Sequence, residues 1–258
     1  MSQNVNQKDV NKDNINKSVD QAEIDKFSAM AEEWWDPKGK FKPLHKFNPV
    51  RLSYIREKVI ANFNLDENEI RPFKNLEIID IGCGGGLLSV PMTRLGAQVT
   101  GIDAAEKNIK IAQTHAENEG LEIDYRQTSA EELAEQGKQF DVILNMEVIE
   151  HVADVESFMK SSCDLLKPGG IMFVATLNRT PKSFLFAIVG AEYVLNWLPK
   201  GTHQWQKFLK PHEINNLFEQ NGLPLEDSSG VKYNPLSDSF YLSKDMGVNF
   251  MMIGKKPE

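Results

Sequence analysis

The chain has 258 residues, of which 41% are apolar and 26% charged, and it carries a formal net charge of −8 with only two cysteines. That length suits one α/β domain burying about 75% of its unfolded surface, and the acidic balance disfavours nucleic acid as a partner. Cys83 and Cys163 stand far apart without metal-ligand spacing, so both are expected as reduced thiols.

Residues 1–17 are rich in Asn and Lys and poor in apolar groups, and are expected to form a disordered tail. They hold no apolar leader segment, and no apolar run reaches the ~18 residues of a membrane span, so a cytoplasmic protein is expected. Residues 18–75 read as a helical cap. In "QAEIDKFSAMAEEWW", Ile24, Phe27, Met30 and Ala31 recur at helical spacing, and "DPKGKFKP" breaks the pattern. "NPVRLSYIREKVIANF" predicts a second amphipathic helix, with Pro49 near its first turn. From Leu76 to the end, short apolar strands alternate with helical segments. The strands are "LEIIDIG", "AQVTGID", "LEIDYRQ", "FDVILNM" and "IMFVATL", followed later by "LEDSSGVKY" and "NFMMIGKK". The alternation predicts an α/β fold: a seven-stranded, mostly parallel sheet with helices on both faces. A long excursion interrupts it at residues 179–211.

The first strand runs into "IIDIGCGGGLL", Ile78 to Leu88. A dinucleotide loop needs G-x-G-x-x-G, but counting from Gly82 the third glycine falls on Leu87. A phosphate loop needs Lys and Ser or Thr after its glycines, and neither follows. The pattern that fits is D-x-G-x-G-x-G: Asp80, Gly82, Gly84, Gly86. Bare glycines let the backbone turn beneath a ligand with no Cβ in the way. Asp80, at the strand end, can face a ligand ammonium group or hold the loop's own amides. "VTGID" ends the next strand on Asp103, placed to accept both hydroxyls of a ribose.

This pattern resembles the S-adenosylmethionine-dependent methyltransferases of the Rossmann-like class I kind. The resemblance implies S-adenosylmethionine as cofactor. It places Ser129, Ala130 and Glu131 of "TSAEEL" along the adenine edge and Met146, ending "FDVILNM", against the adenine or the thioether. The flanks narrow the family. "FSAMAEEWWDPKGKFKPLHKFNPVRLSYI", "EVIEHVADVESF" and "TLNRTPKSFLFAIVGAEYVLNWLPKGTHQWQKFLKPHE" resemble the O-methyltransferases of ubiquinone biosynthesis. The resemblance covers about Val19 to the end and implies methylation of phenolic hydroxyls on polyprenylated phenol and catechol precursors, at both O-methylation steps. It gives Arg51 of "NPVRL" the donor's carboxylate, alongside Gly82, Asp103 and Met146. Arginine's planar fork suits a carboxylate. It also implies peripheral association with the inner membrane surface and contact with other ubiquinone-synthesis enzymes.

Phenol, with a pKa of about 10, needs a base or a metal to become a nucleophile at neutral pH. "EVIEH" supplies Glu147, Glu150 and His151 at i, i+3, i+4 spacing, expected on one helical face past the fourth strand. His151 can be the general base with Glu150 or Glu147 orienting it. Alternatively, Glu147, Glu150 and His151 hold a Mg²⁺-like cation, as the resemblance implies for relatives, or His151 only packs beside the adenosyl group. His45 and His203 are further candidates that also read as loop-anchoring residues. In the excursion, "FLFAIVGAEYVLNWL" (184–198) is too short to span a bilayer. Arg179, Lys182, Lys200, Lys207 and Lys210 surround it, with Trp197 and Trp205. It reads as a helical lid lying on an anionic membrane surface, or as a wall of the substrate pocket. Two rival functions are a quinone C-methyltransferase and a non-catalytic donor-binding subunit of a quinone-synthesis complex.

Overall fold

The computed structural model describes residues 18–185 and 204–258. The expected tail at 1–17 and almost all of the expected lid at 184–198 lie outside the described residues, as does His203.

The cap begins with α1 (Gln21–Met30), whose N-cap Asp20 accepts a hydrogen bond from the Ala22 amide through its side chain. A single 3₁₀ turn over Ala31–Glu33 ends it. The second helix, α2, runs from Lys42 to Phe63, so it starts well before the expected point. Pro43 takes a first-turn position, where a missing N–H costs nothing, and Pro49 lies inside the helix. Phe47, Arg51, Tyr54, Ile55 and Val59 share its buried face.

The sheet follows with β1 (Glu77–Ile81), β2 (Gln98–Asp103), β3 (Asp124–Gln127), β4 (Phe140–Met146) and β5 (Leu166–Leu177), all mutually parallel. Their crossovers are α3 (Ser89–Arg94), α4 (Glu106–Asn118), α5 (Ala130–Glu135) and α6 (Val155–Asp164). After α7 (Pro211–Gln220), β6 (Leu225–Asn234), β7 (Ser239–Ser243) and β8 (Asn249–Lys255) complete the sheet antiparallel. The order β3-β2-β1-β4-β5-β8-β6-β7 makes eight strands, not seven. The extra strand is the sheet edge, "SFYLS". It is five residues long and none of them is buried, so no alternation of apolar and polar residues marks it in the sequence.

Period-two alternation explains why the central strands are apolar throughout. Ile78, Val142, Leu144, Phe173 and Ala175 join the core under α2, with Tyr54, Ile55 and Val59. Ile79, Ile143, Met172 and Val174 join the opposite core, under Leu133, Phe158 and Phe218 of α5, α6 and α7. Strand order reverses between β1 and β4, which opens a crevice at their carboxyl ends. Among the described residues, no helix is long and apolar enough to cross a membrane.

Candidate functional site

A cavity of about 770 Å³ lies in that crevice, bounded by the sheet edge and the cap. Asp80, Gly82 and Gly84 reach it from β1, Asp103 from β2, and Met146 from β4. Asp80 is buried and accepts a hydrogen bond from Ser89 Oγ at 2.6 Å. Burial raises its pKa from the ordinary 3.8 to about 6, against the lowering effects of Ser89 and Arg51. Asp103 accepts from the Gly84 amide at 2.9 Å and, through its other oxygen, from the Ala105 amide at 2.8 Å and Asn108 Nδ2 at 3.2 Å. It therefore braces the glycine loop: Oδ1 is filled by its two donors, and Oδ2 keeps one acceptor site for a further donor.

Arg51 is 2% exposed. Its guanidinium donates to Asn48 Oδ1, lies 4.8 Å from the Phe47 ring, and faces the charges of Glu147 and Asp80. Burial disfavours that charge and the two carboxylates favour it. Its Nε is buried without a hydrogen-bond partner among the described residues, and so are both oxygens of Glu131. Glu131 follows Ser129, which caps α5 by accepting from the Glu132 amide, and Ala130, which is buried. The cavity wall thus offers a spare guanidinium N–H and a spare carboxylate, as well as Asp103. A ligand with its own carboxylate, hydroxyls and an amino group meets these unmet bonds, so the residues fit the expected donor.

Gly86 does not line the cavity. Its φ is +87°, and a Cβ there would stand 2.1 Å from the Tyr125 hydroxyl, so packing beneath the loop demands glycine. The loop's other side belongs to Trp34, to which the sequence assigned no role. Its indole stacks on Phe41 with ring centroids 3.7 Å apart, and Nε1 donates to Asn108 Oδ1 at 3.0 Å. Trp35 donates to the Gly85 carbonyl at 2.8 Å and stacks on His115. The doubled tryptophan was the visible signal; its partner could not be read from it. His45 anchors this corner by donating from Nε2 to the Trp34 carbonyl at 2.9 Å.

A Cβ on Gly84 would stand 2.3 Å from Trp34 Cζ2, at a φ of +53°. Left-handed backbone costs an alanine about 1–2 kcal/mol, and the clash adds displacement of the indole. Gly84→Ala is therefore expected to cost about 2–4 kcal/mol by urea denaturation, but only the backbone part in a Trp34→Ala background. Equal costs in the two backgrounds would show that the indole does not press on the loop.

Past Met146 the chain departs from expectation. Glu147 has a φ of +60°, and its amide donates to the Ala175 carbonyl at 2.9 Å. Only Ile149–His151 form a 3₁₀ turn. Glu147, Glu150 and His151 are not on one helical face, because the left-handed residue redirects the chain before any helix starts. Their side chains diverge: Glu147 faces Arg51, Glu150 accepts from Thr176 Oγ1 at 2.8 Å, and His151 Nδ1 lies 2.9 Å from Glu23 Oε2. Burial, and next the charge of Glu147, push the Glu150 carboxyl well up, and its other oxygen is buried without a hydrogen-bond partner among the described residues. Among the described residues, no three His, Cys, Asp or Glu side chains gather as a metal set. As placed, these three do not fit a Mg²⁺ ion. All three still line the cavity.

A family model described as a methyltransferase domain matches residues 51–227. Two similar curated proteins are named ubiquinone biosynthesis O-methyltransferase. That of Bartonella tribocorum is 58% identical over 244 residues, 95% of this chain and 99% of the relative. That of Parvibaculum lavamentivorans is 60% identical over 239 residues, 93% and 94% of the two chains. Among solved structures, magnesium protoporphyrin IX methyltransferase from Synechocystis PCC 6803 with bound SAH aligns at a TM-score of 0.57 and 18% identity, over 96% of this chain and 99% of that one. At such identity the likeness speaks for the fold.

Proposed function

This chain belongs to the ubiquinone biosynthesis O-methyltransferase family, and from that premise we propose that it methylates the phenolic hydroxyls of polyprenylated phenol and catechol precursors, with His151 as the base. It is an S-adenosylmethionine-dependent O-methyltransferase of ubiquinone biosynthesis. The donor, when bound, supplies a methyl group already activated on a sulfonium sulfur, so what remains for the protein is binding, alignment and one proton transfer. Alignment alone can supply about 7–11 kcal/mol.

Arg51 would hold the donor's carboxylate with its planar fork, Asp103 a ribose hydroxyl through Oδ2, and Glu131, with Ser129 and Ala130, the adenine edge. Gly82 and Gly84 leave the backbone bare beneath it, and Met146 supplies an apolar wall. His151, on the cavity wall at the end of β4, takes the phenol proton. The observation that carries this assignment is the divergence of the "EVIEH" side chains. Glu150 accepts from Thr176 through one oxygen and Glu147 faces Arg51, while His151 brings to the cavity wall the side chain that most often serves as a general base.

The test is incubation of the purified protein with methyl-labelled donor and a short-chain prenylated catechol, followed by mass spectrometry of the ring. One labelled methyl on a ring oxygen is expected. Label on a ring carbon would make the protein a C-methyltransferase, and no transfer despite donor binding would make it a binding subunit.

Peripheral contact with a bilayer is part of the same proposal, since a polyprenyl tail is delivered from lipid. Of the basic residues flanking the excursion, Arg179 is held by Glu213, Lys182 by Asp245 and Lys207 by Asp20. The contact therefore rests more on apolar groups such as Phe184 and Leu185, both exposed. Flotation with anionic vesicles is expected to carry the protein upward; failure to float leaves the excursion as a pocket wall. Association with other ubiquinone-synthesis enzymes rests on the resemblance alone.

A further inference from the structure

The cap reaches the donor side of the cavity through one tryptophan. Trp34 follows the 3₁₀ turn at the end of α1 and is 7% exposed. It packs with Met30, Ala31, Phe41 and Leu87, and Ile111 of α4 joins that cluster. The indole Nε1 donates to Asn108 Oδ1 at 3.0 Å, and Asn108 Nδ2 donates in turn to Asp103 Oδ1 at 3.2 Å. Asn108 stands in the first turn of α4 and is 2% exposed. Asp103 Oδ2 accepts from the Gly84 amide at 2.9 Å, and Gly84 lies against the indole, where a Cβ would meet Trp34. The four residues close a circuit of cap, helix, strand end and glycine loop. All four line the cavity.

We propose that Asn108 is a positioning residue for Asp103, itself held by Trp34 of the cap, so that the ribose acceptor is set only when the cap is docked. The inference rests on the assignment of Asp103 to the donor's ribose. An indole N–H only donates and a carboxylate only accepts. The amide between them therefore has one orientation, its carbonyl toward Trp34 and its amino group toward Asp103. With the Ala105 amide at 2.8 Å, Asn108 completes Oδ1. The last acceptor site is then on Oδ2, the oxygen that also holds the glycine loop. The Ala105 and Gly84 amides belong to the sheet edge itself and are present wherever the cap stands. Asn108 is the donor to Asp103 that is tied to the cap. By linkage, whatever the cap adds to donor affinity, the donor adds to cap docking. The nearby pair of Lys107 and Glu32, 3.0 Å apart, is exposed at both ends and adds little.

An amide that only braced α4 would lower the affinity for every donor-shaped ligand alike. Calorimetric titration separates the two roles, using S-adenosylhomocysteine and its 2′,3′-dideoxy analogue, which lacks the ribose hydroxyls. Wild type is expected to bind the analogue about 10- to 100-fold more weakly, the worth of a hydrogen bond to a charged group. Asn108→Leu keeps the branched shape of the side chain and removes both hydrogen bonds. It is expected to weaken adenosylhomocysteine binding about 5- to 20-fold and analogue binding by less than about twofold, so the gap between the ligands narrows. Trp34→Phe keeps a ring on Phe41 and removes the N–H. It should narrow the gap in the same way, and it carries the test should the leucine variant not fold. In the double variant the gap should be no narrower than in Asn108→Leu alone, because the two residues act in series. A gap of wild-type width in either single variant, or narrowing that adds up in the double one, would overturn the proposal. Equal binding of the two ligands by the wild type would instead overturn the assignment of Asp103 to the ribose.

Discussion

His151→Gln lowers kcat by about 10²–10⁴-fold and leaves donor affinity near wild type, read by steady-state methyl transfer and by calorimetric titration with adenosylhomocysteine. The side chain lines the same cavity, and its Nδ1 is paired with Glu23, a residue assigned no part in holding the donor. A phenol of pKa about 10 is roughly one part in a thousand ionised at pH 7. Without a base, turnover must draw on that fraction, which grows about tenfold for each unit of pH. The variant's rate should therefore climb steeply from neutrality toward pH 10, while the wild-type rate climbs less, so the deficit narrows as pH rises. A constant deficit across that range would show that His151 does something other than take the proton.

Arg51→Met acts on both the fold and the site. Its guanidinium stands between Asp80 and Glu147, and removing one partner from a buried charge cluster costs about 3–5 kcal/mol. Donor affinity should fall as well, by the about 1.5–3 kcal/mol of a charge-assisted hydrogen bond, or about 10- to 150-fold. The stability loss has a distinctive pH dependence. Asp80 has its pKa raised from 3.8 to about 6 even with Arg51 present, so the folded state binds its proton more tightly than the unfolded chain does. Stability is then lost as pH rises from about 4 through 6, by about 3 kcal/mol in the wild type. Glu150, also shifted upward by burial, acts with the same sign. Glu23 has the opposite sign: its pKa is lowered to about 2, so its contribution is complete above its ordinary value of 4.5 and fades as pH falls from there toward 2. With the guanidinium gone Asp80 is raised further, so Arg51→Met should lie closest to wild type near pH 5 and fall furthest behind above pH 7. Chemical denaturation at the two pH values measures this, and a gap that does not widen would show that Arg51 does not support Asp80.

What the sequence by itself determined was whatever depends on neighbours along the chain. Ile78, Ile79 and Ile81 announce a strand buried on both faces, and so do the apolar runs of β4 and β5. The glycine spacing after β1 announces a turn that only glycine makes well; Gly82, Gly84 and Gly86 all have positive φ. Asp103 follows because a parallel neighbour ending level with β1 brings its carboxylate to the loop, where it meets the Gly84 amide. Only the tertiary structure decided the rest. The spacing of Glu147, Glu150 and His151 suggests a shared helical face, yet one left-handed residue, held by the Ala175 carbonyl of the next strand, sends the three side chains to different partners. Trp34 on Gly84, and Glu23 on His151 across 128 residues of chain, arise from where the cap settles on the sheet edge. Periodicity reports the face a segment buries and carries no record of which distant segment will cover it. That choice is made by the summed packing of two cores and the cap, to which no single stretch of residues is privy.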